Sequence, residues 1–307
     1  MGNADRIKAA LDMIDTGLAT INTDEDWLHF LTFQSQFYNY SFGNAMLIYT
    51  QRPDATFVKG IKAWNQLGRY VKKGSKGIGI LCPLIRKVEV FKEPKETNVY
   101  NDKEAEKETK KVIAGFRVGY VYDLSDTDGD DSQLPVLVTG LLSSTDEEKA
   151  LYESLLAYVS KEYCVQETDC GSSKGSYNLE THVISINDTI EYRQKIKTLL
   201  HEYSHALDFK MHPDDDIPRN KRELIAESTA FVVCLRLGVD TSSYSFSYLK
   251  SWLKEPDELK EIADCVQKIS YEIINGLAGS SDLAFLNLKE ESEEYCILEA
   301  CIYRQIR

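Results

Sequence analysis

His201 and His205 stand at positions i and i+4 in the run His201-Glu202-Tyr203-Ser204-His205, with a glutamate beside the first. On a helix those positions lie one above the other, so both imidazoles can grip a single metal ion. Glu202 then sits where a carboxylate can take a proton from water held in the same cleft. That is the chemistry of a hydrolase. Five residues are a short pattern, and the surroundings must support it. Between Ile190 and Phe209, Ile196, Leu199, Leu200, Tyr203, Ala206 and Leu207 form one helical stripe. Gln194, Lys197, Thr198, His201, Ser204, His205 and Asp208 form another, and both histidines lie on it.

A catalytic zinc takes three protein ligands and keeps a fourth position open. In one known arrangement the third ligand follows ten residues after the first histidine. Here Met211 stands at that place, Asp208 takes the position of a glycine, and His212 is one residue out of register. Residues 222–231 offer Glu223 and Glu227 instead, again at i and i+4, in a predicted buried helix that ends at Gly238. Glutamates at this spacing usually form a solvated face. Close behind an HExxH run they resemble the paired acids of zincins, which implies Glu223 as the third Zn2+ ligand. Glu227 would then orient a ligand histidine through its other ring nitrogen. The reverse assignment stays open. The resemblance implies a metallopeptidase in which Glu202 takes a proton from water and later gives it to the leaving amine. The run from Tyr177 to Ile186 alternates as a strand should, and its edge could pair with an extended protein or peptide substrate.

These residues need elements to hold them. A chain of 307 residues suggests two domains. No apolar run is long enough to span a membrane, and no signal-peptide core opens the sequence. Seven cysteines at irregular spacing read as reduced thiols. A cytoplasmic protein with no membrane partner is therefore expected. Residues 4–52 read as three helices, the second capped by Thr23 and the third by Ser41. Residues 69–81 read as a hairpin turning at Gly74-Ser75. A charged stretch at about 92–112 reads as a mobile loop, followed by a strand at 116–124. The acidic run after it lacks the glutamate of a calcium-binding loop, because Leu137 takes the twelfth position from Asp126. The domain boundary is expected near residues 128–145, and a helical tail at the end.

The net charge is −13, yet residues 55–88 carry eight cations and no acid. Those cations are Lys59, Lys62, Arg69, Lys72, Lys73, Lys76, Arg86 and Lys87. Aromatic residues interleave with them, as in proteins that bind single strands through a cationic groove and stacking platforms. Most of these aromatics must fill a core; Tyr40, Trp64 and Tyr70 are the expected platforms.

Two stretches together resemble the ArdC-type anti-restriction proteins of conjugative elements. The first holds residues 40–48, Gln51, Pro53, Trp64 and residues 68–78, and is similar to that family's N-terminal domain, which binds single-stranded DNA. The second runs from the HExxH helix through Glu223 and Glu227 to residues 248–253, and is similar to its zincin-like metallopeptidase domain. The resemblance implies an α+β fold. Residues 1–140 would form a single-stranded-DNA-binding domain, and residues 141–307 a mainly helical peptidase domain with a small sheet. It implies protection of DNA that enters by conjugation. Two alternatives remain: a non-catalytic DNA-protecting protein with a structural zinc site, and a regulatory protease that cleaves a repressor or restriction component.

Overall fold

The computed structural model describes residues 2–91, 107–132, 134, 141–142, 144–213, 216–242, 246, 249 and 255–278, with only the backbone at 89–91 and 107–108. Three helices come first: α1 (Asn3–Leu18), α2 (Asp24–Gln36) and α3 (Phe42–Gln51). The caps fall as expected. Thr23 Oγ1 accepts the Asp26 N–H while the Asp26 carboxylate accepts the Thr23 N–H, and Ser41 Oγ accepts the Asn44 N–H.

β1 (Val58–Lys59), α4 (Ile61–Gln66) and β2 (Arg69–Val71) follow, then the long strands β3 (Ile78–Phe91) and β4 (Lys107–Asp123), and β5 (Thr127–Gly129). The first sheet has the order β1-β4-β3, all antiparallel. Its inner face sets Val58, Ile78, Ile80 and Val121 against Phe33 of α2, Phe37 just after it, and Ala45 and Ile48 of α3. Helix α3 also covers the edge of β3. The Asn44 side chain exchanges hydrogen bonds with the Leu81 N–H and C=O, and Gln51 does the same with Gly79. Edge groups satisfied by side chains are not free to pair with another strand.

Residues 69–81 are not a hairpin. β2 pairs with β5, while β3 pairs with β4, so the two strands belong to different sheets. Gly74 turns between them at φ 92°, a left-handed conformation that favours glycine. Of the charged stretch expected to be a loop, Lys107–Lys111 belong to β4, and residues 92–106 lie outside the described residues.

The second half contains α5 (Thr145–Val159), β6 (Cys164–Thr168), β7 (Gly175–Asn178), β8 (Val183–Asn187), α6 (Tyr192–Met211), α7 (Arg219–Arg236) and α8 (Pro256–Ala278). It is mainly helical, and the fold as a whole is α+β. The alternating run at 177–186 is two strands, with His182 at φ 54° in the turn between them. In this sheet β8 is central, parallel to β6 and antiparallel to β7, which leaves β7 at an edge beside α6. Helix α7 stops as expected at Gly238. The Val239 N–H reaches the Cys234 C=O and the Gly238 N–H reaches the Leu235 C=O, with Gly238 left-handed at φ 72°.

The boundary expected at 128–145 does not divide the core. Leu18, Trp27, Phe30 and Leu31 of the first helices share one hydrophobic cluster with Leu155, Leu199, Leu224, Phe231 and Ile273. Among the described residues no helix is long and apolar enough to cross a membrane. Apart from Leu249, residues 248–253 lie outside the described residues, as does the tail after 278.

Candidate metal centre and nucleic-acid interface

Helix α6 sinks its apolar stripe into the core, with Ile196, Leu199, Leu200 and Leu207 fully buried. Its polar stripe faces the cleft between β7 and the start of α7. There His201 Nε2 and His205 Nε2 lie 3.1 Å apart. Glu223 Oε2, from α7, lies 3.5 Å from the first and 3.6 Å from the second. A tetrahedral zinc with bonds of 2.0–2.1 Å holds its ligands about 3.3 Å apart, so this triangle fits one face of such a tetrahedron. Histidine nitrogens and a carboxylate oxygen also suit zinc by donor type. The three side chains are partly exposed, which leaves the fourth side of the tetrahedron toward the cleft.

The electrostatics follow from this convergence. Hydrogen bonds from His201 and His205 hold the Glu223 carboxyl far below the usual carboxylate range. Burial opposes a charge on His201, yet its hydrogen bond to Glu223 and the charges of Glu202, Glu223 and Glu227 raise its pKa. Glu202 is shifted the other way from Glu223. Burial raises its pKa, only partly offset by the two histidines and by a hydrogen bond from the Tyr177 N–H. A carboxyl group tuned upward is suited to carrying a proton during a reaction near neutral pH.

The Tyr177 N–H also shows that the edge of β7 that no described strand covers faces Glu202. Gly175 makes the approach possible: a Cβ there would lie 2.5 Å from Thr198 Cγ2 and 2.7 Å from the Ser185 C=O. Two cavities meet at His201 and Glu202. One of about 330 Å³ is lined by Lys174, Lys197 and Glu227, the other of about 720 Å³ by Tyr177, Leu179, Phe209 and Ile217.

Glu227 does not take the place expected of it. It lies in the smaller cavity beside His201, but among the described residues it makes no hydrogen bond to either histidine. Burial first, then the charge of Glu223, raises its pKa. The reason is helical geometry: Glu223, one turn nearer the start of α7, already meets both Nε2 atoms. His212 points away, with Nδ1 3.0 Å from Asp208 Oδ1. Asp208 also meets Arg222 at 2.6 Å, and the Arg222 guanidinium stacks 3.8 Å from the Phe209 ring. This buried bridge fixes the start of α7 against the end of α6. Neither it nor Gly175 was singled out by sequence, although Gly175 closes a visible glycine-rich run.

The residues expected to bind DNA separate into two groups. Trp64 is corrected from platform to core: it is 0% exposed, and its Nε1–H donates to the Tyr122 C=O at 2.9 Å. Tyr40 is half-buried against Phe37 and donates its hydroxyl to the Val58 C=O, so it too is structural. Arg69 is buried, hydrogen-bonded to Thr127 and Gly129, and paired with Asp131. Lys72 reaches the Ser125 C=O and lies 3.4 Å from Asp128. The pairing of β2 with β5 brings the acidic turn onto the basic segment, which removes part of the local charge excess. Lys59, Lys62, Lys73 and Lys76 have no carboxylate at ion-pair distance among the described residues. Tyr70 is 62% exposed. Sequence reading passed over Tyr120, which is 53% exposed on β4.

Comparison with known proteins places the N-terminal part of the chain. Residues 5–122 match the model of the N-terminal domain of anti-restriction factor ArdC. An uncharacterized protein of Bacillus anthracis is 23% identical over 320 residues, a match that covers 94% of this chain and 53% of that protein. The chain therefore spans about half the length of that relative. Two crystal structures of the antirestriction protein ArdC from plasmid R388 also align, each over 78% of this chain and 85% of theirs. The metal-free one has 18% identity and a TM-score of 0.45, the Mn(II)-bound one 17% and 0.46. Residues 5–122 therefore carry a domain of the ArdC N-terminal type.

Proposed function

We propose that the chain is an anti-restriction protein that binds single-stranded DNA and hydrolyses peptide bonds at a metal centre of His201, His205 and Glu223. It would act on DNA that enters by conjugation. The observation that carries the hydrolytic half is the donor triangle, with the upward-tuned Glu202 beside it and the edge of β7 alongside. A divalent cation bound there would supply a Lewis acid and acidify water in the cleft. Glu202 takes a proton from that water as its oxygen adds to the peptide carbonyl, and passes it to the amine nitrogen as the C–N bond breaks. The β7 edge aligns an extended chain by main-chain hydrogen bonds.

Purified protein should bind one divalent ion per chain when offered Zn(II). The plasmid ArdC structure was solved with Mn(II), so Mn(II) is offered in parallel. Failure to retain either ion would overturn the hydrolytic reading. The Glu202→Gln variant should keep the ion and the DNA affinity but lose peptide cleavage. If incoming DNA is protected equally by wild type and Glu202→Gln, binding alone performs the function.

A further inference from the structure

We infer that the open outer face of the β1-β4-β3 sheet is a base-stacking platform for single-stranded DNA, built from Tyr120 and Tyr122. The inference rests on the DNA-binding half of the proposed function and names its site. Alternation along β3 points Ile78 and Ile80 into the core, so Gly79 falls on the opposite face, and Gly77, just before the strand, lies against the Tyr120 and Tyr122 side chains. On β4 the same alternation buries Val121 and turns Tyr120 and Tyr122 outward. Gly79 lies directly across from Tyr120, and Lys59 of β1 directly across from Tyr122, so all share one face.

The two glycines leave the start of β3 and the residue before it bare beneath the rings. A Cβ at Gly77 would meet Tyr120 Cβ and Cδ1 at 3.1 and 3.2 Å and Tyr122 Cζ at 3.2 Å, so both tyrosines converge on that backbone. Among the described residues this end leaves Tyr120 53% exposed and Tyr122 half-buried. At the other end Leu81 and Phe116 are buried, and the Asn3 side chain at the start of α1 binds the Phe116 C=O. Exposed aromatic faces on a sheet invite flat π-systems. Lys59, across from Tyr122, and the exposed Lys76, next in sequence to Gly77, have no acidic partners among the described residues and select a polyanion. A nucleic acid strand with unpaired bases offers both features, whereas a duplex hides its base faces.

The test uses the full chain and a fluorescently labelled oligothymidylate, read by anisotropy over a range of salt. Tyr120→Ala should weaken binding between roughly five- and 150-fold, the range for one stacked base, with the salt dependence unchanged. Tyr120→Phe should bind as wild type. Gly77→Val keeps both rings but displaces them, and should weaken binding as well. Gly77 is not left-handed, so the new side chain does not strain the backbone. Matching melting temperatures establish that each variant is folded. Unchanged affinity in folded Tyr120→Ala and Gly77→Val would overturn the platform while leaving DNA binding itself standing. If wild type binds no single strand at any salt, the DNA-binding reading and the platform fall together. Tighter binding of the ribo-oligomer or of duplex would overturn the assignment to single-stranded DNA.

Discussion

Glu223 and Glu227 sit one turn apart on the same helix and are shifted in opposite directions. Glu223 is held charged by two histidines, whereas Glu227 is pushed toward its protonated form by burial. Only the first has the geometry of a ligand. Glu223→Ala should therefore abolish stoichiometric metal binding. Glu227→Ala should retain it, with affinity reduced by no more than about 10–100-fold, the range for an outer group. Titration calorimetry with Zn(II) separates the two, and the reverse result would make Glu227 the ligand. Gly175 matters for a different reason. A methyl group there meets the fixed Ser185 carbonyl as well as Thr198, so β7 must move away from α6. Gly175→Ala should cost about 1–3 kcal/mol in urea unfolding, as overpacking does, and should lower cleavage more than metal affinity. A variant as stable as wild type would show that the strand yields at no cost.

Two buried carboxylates show how elements are fastened. Asp208 joins α6 to Arg222 of α7, and both side chains are almost wholly buried. Asp208→Ala strands the guanidinium, with an expected loss of about 3–5 kcal/mol in denaturant unfolding. A loss below 1 kcal/mol, read on the same scale as roughly that of an exposed pair, would contradict the tie. Asp123, at the end of β4, accepts from Thr56 N–H, Phe57 N–H, Ser125 N–H and Ser125 Oγ. Burial alone would raise its pKa, but these bonds outweigh burial and lower it. Stability from a lowered carboxyl is present above the unfolded value of about 3.9 and is lost as pH falls through the folded value. Asp123→Asn should be less stable at pH 7 and should lose less further stability on acidification than wild type. Parallel melting curves in the two proteins from pH 7 down to about 3 would refute that.

The same elements explain what was legible beforehand. The HExxH helix could be read because its histidine spacing and apolar period lie within one helical segment, whereas Glu223 as ligand rested on the resemblance to zincins. The caps at Thr23 and Ser41 and the stop at Gly238 are local in the same sense. Trp64 and Arg69 were misjudged because their partners, Tyr122, Thr127 and Asp131, come from a distant strand and turn. Strand register, which no local pattern carries, also placed Tyr120 opposite Gly79.

At the scale of the whole molecule, the N-terminal helices are bolted to the half that carries the donor triangle. Trp27 Nε1–H on α2 donates to Ser228 Oγ on α7, a residue next to Glu227. The Gln267 amide of α8 donates to the carbonyls of Phe37 and Tyr38, and Lys260 meets Asp15 at 2.6 Å. With one hydrophobic cluster running through both halves, they should unfold as one cooperative unit. A ligand that binds only the folded state stabilises the whole of that unit, by about 2.7 kcal/mol at a free concentration of a hundred times Kd. Metal added to the His201–His205–Glu223 centre should therefore slow hydrogen exchange of the most protected amides in α2 and α3 as much as those in α7, although no residue of α2 or α3 belongs to the donor triangle. Protection gained by α6 and α7 alone would mean that the halves open separately. The proposed DNA-binding face would then be blind to the state of the proposed metal centre. If protection spreads, metal at one end sets the population of folded, DNA-competent protein at the other.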